Sequence, residues 1–102
     1  MGVRFPHAGP NTMNETDREI LVIAQEECAE VIQEISKCFR FGIDQIHKSG
    51  QPHRTVLTEE VGDLLCMLQL MMDNNIVDQQ EVEVARLAKL QKLQVFSNIF
   101  KK

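Results

Sequence analysis

Apolar residues recur along this chain in three stretches, each at the spacing of one helix face and none with the alternation of a strand. In "REILVIAQEECAEVIQEISKCFRFG" the stripe is Ile20, Ile23, Ala24, Val31, Ile35 and Cys38. Thr16 with Glu19 reads as a capping box that opens this helix near Asn14 to Thr16, and Gly42 supplies its stop. A second helix is predicted from Thr55 or Thr58 to Asn74. Its stripe of Val61, Leu64, Leu65, Leu68, Met71 and Met72 is wide enough to be covered on most sides. A third starts at Asp78, where Glu81 completes a D-x-x-E cap, and presents Val82, Ala85, Leu87, Leu90, Leu93 and Phe96. Residues 1–13, with two Pro and two Gly and no period, read as an extended or disordered arm. The polar connection over residues 43–54 has room for a brief helical turn at "IDQIHK". The pattern predicts an all-α fold, a helical hairpin plus a third helix, in one domain over residues 14–102.

Size sharpens that expectation. A chain of 102 residues buries only about two-thirds of its unfolded surface, so association with further copies is a natural remedy. With five Phe and no Trp or Tyr, the core is aliphatic and Met-rich. A formal net charge of −4 argues against a nucleic-acid polymer as the main partner. "LLCMLQLMM" is too short to span a membrane. Cys28, Cys38 and Cys66 form no CxxC pair and have no His at zinc spacing, so they are expected as small core residues in a reducing, cytoplasmic setting.

The acids change the picture more than the composition does. The first helix carries "EECAE" and the second "EEVGD". Glu27 with Glu30, and Glu60 with Asp63, are each spaced i, i+3 and share a helix face. Apolar residues one turn away on either side direct Glu27 and Glu60 towards packed surface. If the two helices pack antiparallel through these faces, four carboxylates converge and raise one another's pKa values unless a cation joins them. Carboxylates without His or thiolate select Mg²⁺ or Mn²⁺. No Glu-x-x-His is present, which argues against a di-iron centre, and Asp44 with His47 is expected to be a surface pair. One such acidic pair is an ordinary solvated face. Two at matching depth in neighbouring helices point to a metal site.

From about Ile20 to Met72, "EECAE", "KCFRFG", "EEVGD" and "GDLLCMLQLM" resemble the EExxE…ExxD pattern and its surroundings in the MazG-like all-α nucleoside triphosphate pyrophosphohydrolases, a superfamily with dimeric dUTPases and dCTP pyrophosphatases. The interval from Glu30 to Glu60 is long for that family. The resemblance implies cleavage of a nucleoside triphosphate between its α and β phosphates, with deoxynucleotides such as dCTP as candidate substrates. Glu27, Glu30, Glu60 and Asp63 match the family's Mg²⁺ ligands, with Mn²⁺ as a substitute. Glu26 or Glu30 is the candidate general base, and Lys37, Arg40, Lys89 and Lys92 are the candidate phosphate-binding cations. The resemblance also implies a homodimer or homotetramer built as a four-helix bundle. Two other readings remain open: a helical interaction module without chemistry, and a related phosphoribosyl-nucleotide pyrophosphohydrolase.

Overall fold

The computed structural model describes residues 13–101, so all of the expected N-terminal arm except Met13 lies outside it. Three helices account for most of the rest: α1 Glu15–Phe41, α2 His53–Asp73 and α3 Gln79–Phe96. Among the described residues there is no β-strand, only an isolated bridge between Ile46 and Pro52. The all-α expectation holds.

The ends of the helices show which local signals operate. Asn14, rather than Thr16, caps α1, with its side-chain oxygen accepting from the Asp17 amide at 2.7 Å. Gly42 closes the helix at φ 97°, a backbone angle that strains any residue with a Cβ, and its amide donates to the Cys38 carbonyl. The α2 helix starts earlier than its threonines suggest, at His53. Pro52 sits at its cap and has no side chain to offer, so the connection serves instead: the amides of His53 and Arg54 donate to the carbonyls of Gln45 and Ile43. That connection forms hydrogen-bonded turns and not the brief helix read at "IDQIHK". Asp78 caps α3 through the Glu81 amide at 2.9 Å, as the D-x-x-E spacing predicts.

The α1–α2 hairpin is the only extensive helix–helix contact among the described residues. Along α1 the half-buried and buried positions include Ile20, Ala24, Glu27, Val31, Glu34 and Cys38; along α2 they include His53, Leu57, Glu60, Leu64, Met67 and Met71. The α1 set is spaced alternately by four and three, and the α2 set runs four, three, four, three, four, which is the seam of a two-stranded coiled coil. Ile20, Ala24 and Met67 form its apolar floor, with Ile23, Met71 and Ile76 packed against them.

Several expected core positions are uncovered. Ile35, Leu65 and Leu68 are exposed, α3 contributes no buried residue, and Phe96 is 84% exposed. The α2 helix buries only His53 and Met67, so it is not covered on most sides within one chain. Cys28 and Cys66 are exposed and Cys38 is half-buried, so the thiols are not the core residues expected from their helical spacing. The stripes are present, but one chain does not cover them. No helix of the described residues is long and apolar enough to cross a membrane.

Candidate functional site

Acids occupy two levels of the α1–α2 seam where a coiled coil ordinarily carries apolar residues. Glu27 and Glu34 lie two turns apart on α1, and Glu60 and His53 lie two turns apart on α2. Antiparallel packing therefore sets Glu34 level with His53, Glu27 level with Glu60, and Ile20 level with Met67. The contacts agree at each level. His53 Nδ1 lies 3.1 Å from Glu34 Oε1, the carboxylates of Glu27, Glu60 and Asp63 offer oxygens all within 4.8 Å of one another, and Ile20 and Met67 share the apolar cluster.

The middle level is the expected acid site. Glu27 and Glu60 are half-buried, while Asp63 and Glu30 lie at the solvent edge. Partial burial, a hydrogen bond with Glu30 that needs one of the two acids protonated, and repulsion from Glu30, Asp63 and Glu27 push the Glu60 carboxyl up to about 7. Glu27 is raised as well, by desolvation first and then by Asp63, Glu30 and Glu26. Both shifts have the sign of a site that lacks positive charge. Oxygen ligands alone, with no His or thiolate among them, suit Mg²⁺ or Mn²⁺, so the residues fit the cation that the sequence implies. Glu27, Glu60 and Asp63 would hold it, with Glu30 beside them. Glu26 is exposed, and its charge adds to the repulsion that raises Glu27.

A carboxylic acid whose pKa is raised by folding stabilises the fold while protonated. That contribution is complete below the unfolded pKa and is lost as pH rises through about 7. The metal-free protein should therefore melt at a lower temperature at about pH 8 than at about pH 5.5, more steeply than its Glu60→Gln variant, with the wild-type excess slope removed by millimolar Mg²⁺. Thermal melts of the two proteins, with Mg²⁺ and with EDTA, measure this. Equal slopes in both proteins would show that Glu60 is not under strain.

One turn beyond Glu30 lies a pair that the helical pattern alone does not reveal. Glu34 and His53 are each only 4% exposed, and Lys37 Nζ stands 3.7 Å from the other Glu34 oxygen. The sequence signal is faint but present: Glu27, Glu30, Glu34, Lys37 and Phe41 follow one another by three, four, three and four along one face of α1. Towards the end of that face the His53 ring stacks on Phe41 at 5.8 Å, His47 meets His53 edge-on at 5.2 Å, and the Arg40 guanidinium lies 4.8 Å from the Phe41 ring centroid. These side chains border a cleft of about 460 Å³ that includes Lys37, Arg40 and Lys48.

The structure thus places two of the four candidate cations, Lys37 and Arg40, in one cleft on the face that carries the acids. Lys89 and Lys92 lie exposed on α3, which does not join the α1–α2 seam, so one chain does not bring them to the site. Asp44 is engaged by Arg54 in a forked pair at 2.9 and 3.2 Å, which holds its carboxyl below the usual range and leaves it a surface residue. His47 bonds Ser49 rather than Asp44. No protein-family model, curated protein or solved structure matches this chain.

Proposed function

We propose that this protein is a Mg²⁺-dependent nucleoside triphosphate pyrophosphohydrolase that releases a nucleoside monophosphate and pyrophosphate, with deoxynucleotides such as dCTP among its candidate substrates. The observation that carries this reading is the carboxylate level of the seam, where Glu27, Glu60 and Asp63 converge within 4.8 Å and Glu60 is pushed up to about 7. Two helices that needed only to pack would place apolar side chains there. A bound Mg²⁺ would draw in phosphate oxygens, neutralise charge developing on them and acidify a water.

The chain's own groups supply the remaining roles. Glu27, Glu60 and Asp63 converge from two helices that also pack through an apolar floor and the buried Glu34–His53 hydrogen bond, so the carboxylates need little reorganisation on binding. Glu30, exposed beside Glu60, or Glu26, exposed one position before Glu27, takes the proton of the attacking water. The water oxygen bonds to the α-phosphorus, the bond from that phosphorus to the bridging oxygen breaks, and pyrophosphate leaves with the electron pair. Lys37 and Arg40 meet the remaining phosphate charge.

The test is product analysis over a panel of ribo- and deoxynucleoside triphosphates with Mg²⁺, with Mn²⁺ and with EDTA. Pyrophosphate and the monophosphate should appear with either metal and vanish with EDTA. Orthophosphate in place of pyrophosphate, or EDTA-resistant turnover, sinks the reading. Cleavage confined to phosphoribosyl nucleotides would point to the related hydrolase class instead.

Assembly into a homodimer or homotetramer belongs to the same proposal. Apolar side chains remain open on all three helices, including Ile32 and Phe39 on α1, Leu65 on α2 and Val84, Val95 and Phe96 on α3. A second copy packing against the hairpin would form a four-helix bundle and bring α3, with Lys89 and Lys92, into a neighbour's reach. Light scattering should return a mass two or four times the 11.7 kDa chain, and a monomer at tens of micromolar would refute it.

A further inference from the structure

The cleft between the end of α1 and the α1–α2 connection combines features that the carboxylate level does not use. Its lining combines cations, Lys37, Arg40 and Lys48, with flat rings, Phe41, His53 and His47. The flat wall is built rather than incidental. His53 is 96% withdrawn from solvent, its Nδ1 is held by the equally buried Glu34, and its ring lies within 18° of parallel to that of Phe41. Among the described residues no hydrogen bond engages the second nitrogen of this ring. Phe41 remains half open, with the Arg40 guanidinium 4.8 Å from its ring centroid, so a ligand ring that meets it does so beside that cation. Backbone amides of His53 and Arg54 tie the connection's carbonyls to α2, which anchors the segment that gives the cleft His47 and Lys48.

Position along the helix links this cleft to the acids. Glu30, Glu34, Lys37 and Phe41 share one face of α1, and eleven residues separate Glu30 from Phe41, about 16 Å at the helical rise. Lys37 lies between them, and helical side chains lean towards the N-terminus, so its ammonium is directed back towards the carboxylates. An extended nucleotide has a comparable span, with negative charge at one end and a flat ring at the other. We infer that the cleft receives the ring of the substrate, stacked against Phe41 and bordered by His47 and His53, while its phosphates extend past Lys37 to the carboxylate level. This rests on the proposed nucleotide reading for the phosphate end and on the cleft itself for the ring.

The experiment separates the two. Saturation-transfer NMR with the four deoxynucleoside monophosphates, in EDTA, reports ring binding without metal or turnover. Calorimetry with Mg²⁺ and inorganic tripolyphosphate reports the phosphate end without a ring. At least one monophosphate should show transfer to its base protons, and Phe41→Ala should weaken it at least about fivefold, the low end of what base stacking contributes. The same variant should leave tripolyphosphate affinity within about twofold, and Glu60→Gln should do the reverse. Loss of tripolyphosphate binding in Phe41→Ala, or no base-proton transfer to the wild type at millimolar ligand, overturns the inference. Monophosphate binding in a protein that cleaves no triphosphate would uphold the cleft and reject the reaction. Triphosphate turnover with an unchanged KM in Phe41→Ala would uphold the reaction and reject the cleft.

Discussion

Glu60→Gln should lower Mg²⁺-dependent pyrophosphate release by at least about 100-fold in kcat/KM. Removing a group that merely supports a metal ligand typically costs 10- to 100-fold, and Glu60 is one of the acids proposed as the ligands themselves. The amide keeps the shape and loses the charge. It also removes the repulsion that raises Glu60 in the metal-free fold, so the variant should be no less stable than wild type at about pH 8 when EDTA is present. Activity and stability would then move in opposite directions, which misfolding cannot imitate. Glu59→Gln, at an exposed neighbour outside the cluster, is the control and should retain activity. If Glu60→Gln stays within a few-fold of wild type, the four acids are not a catalytic centre.

The largest effect on folding is expected one layer away. His53→Ala would strand the Glu34 carboxylate in the seam with only Lys37 near it, at 3.7 Å. Breaking a buried pair from one side costs about 3–5 kcal/mol, a large share of the roughly 5–15 kcal/mol that holds a domain together. His53→Gln keeps a donor and should cost less. Removing Glu34 as well should recover part of the loss, because the second substitution eliminates the stranded charge. Urea unfolding of the two single variants and the double variant, at one fixed protein concentration, gives the coupling directly. Additive losses would mean that the 3.1 Å contact contributes nothing beyond packing.

Much of the fold and of the acid site was legible because both rest on spacing. The i, i+3 acids and their apolar neighbours required a shared helix face, and antiparallel packing brought Glu27, Glu60 and Asp63 together. The start of α2 was less legible, since "SGQPHR" has the residues of a loop and the helix is capped by carbonyls from Ile43 and Gln45. No side-chain pattern announces such a cap, so His53 fell within the polar connection read over residues 43–54 when it is a seam residue. Glu34 was hidden for a related reason: one acid in a run of charged residues on a helix face declares a buried partner only once the opposite helix is placed. At α1 two overlapping caps competed, and Asn14 won over Thr16. For α3 and the cysteines, periodicity showed which face is apolar and left open what covers it.

The seam assigns different work to levels two turns apart, and this bears on how such a protein can diversify. Alignment of the two helices rests on contacts inside the hairpin, from Ile20 and Met67 up to Glu34 and His53, and not on the length of the chain that joins them. Residues 43–51 can therefore lengthen, shorten or change character without displacing the carboxylates, provided that two carbonyls still reach the first amides of α2. The long interval between the two acidic motifs is then no defect of the scaffold. It is the segment free to vary while the carboxylate level keeps its geometry.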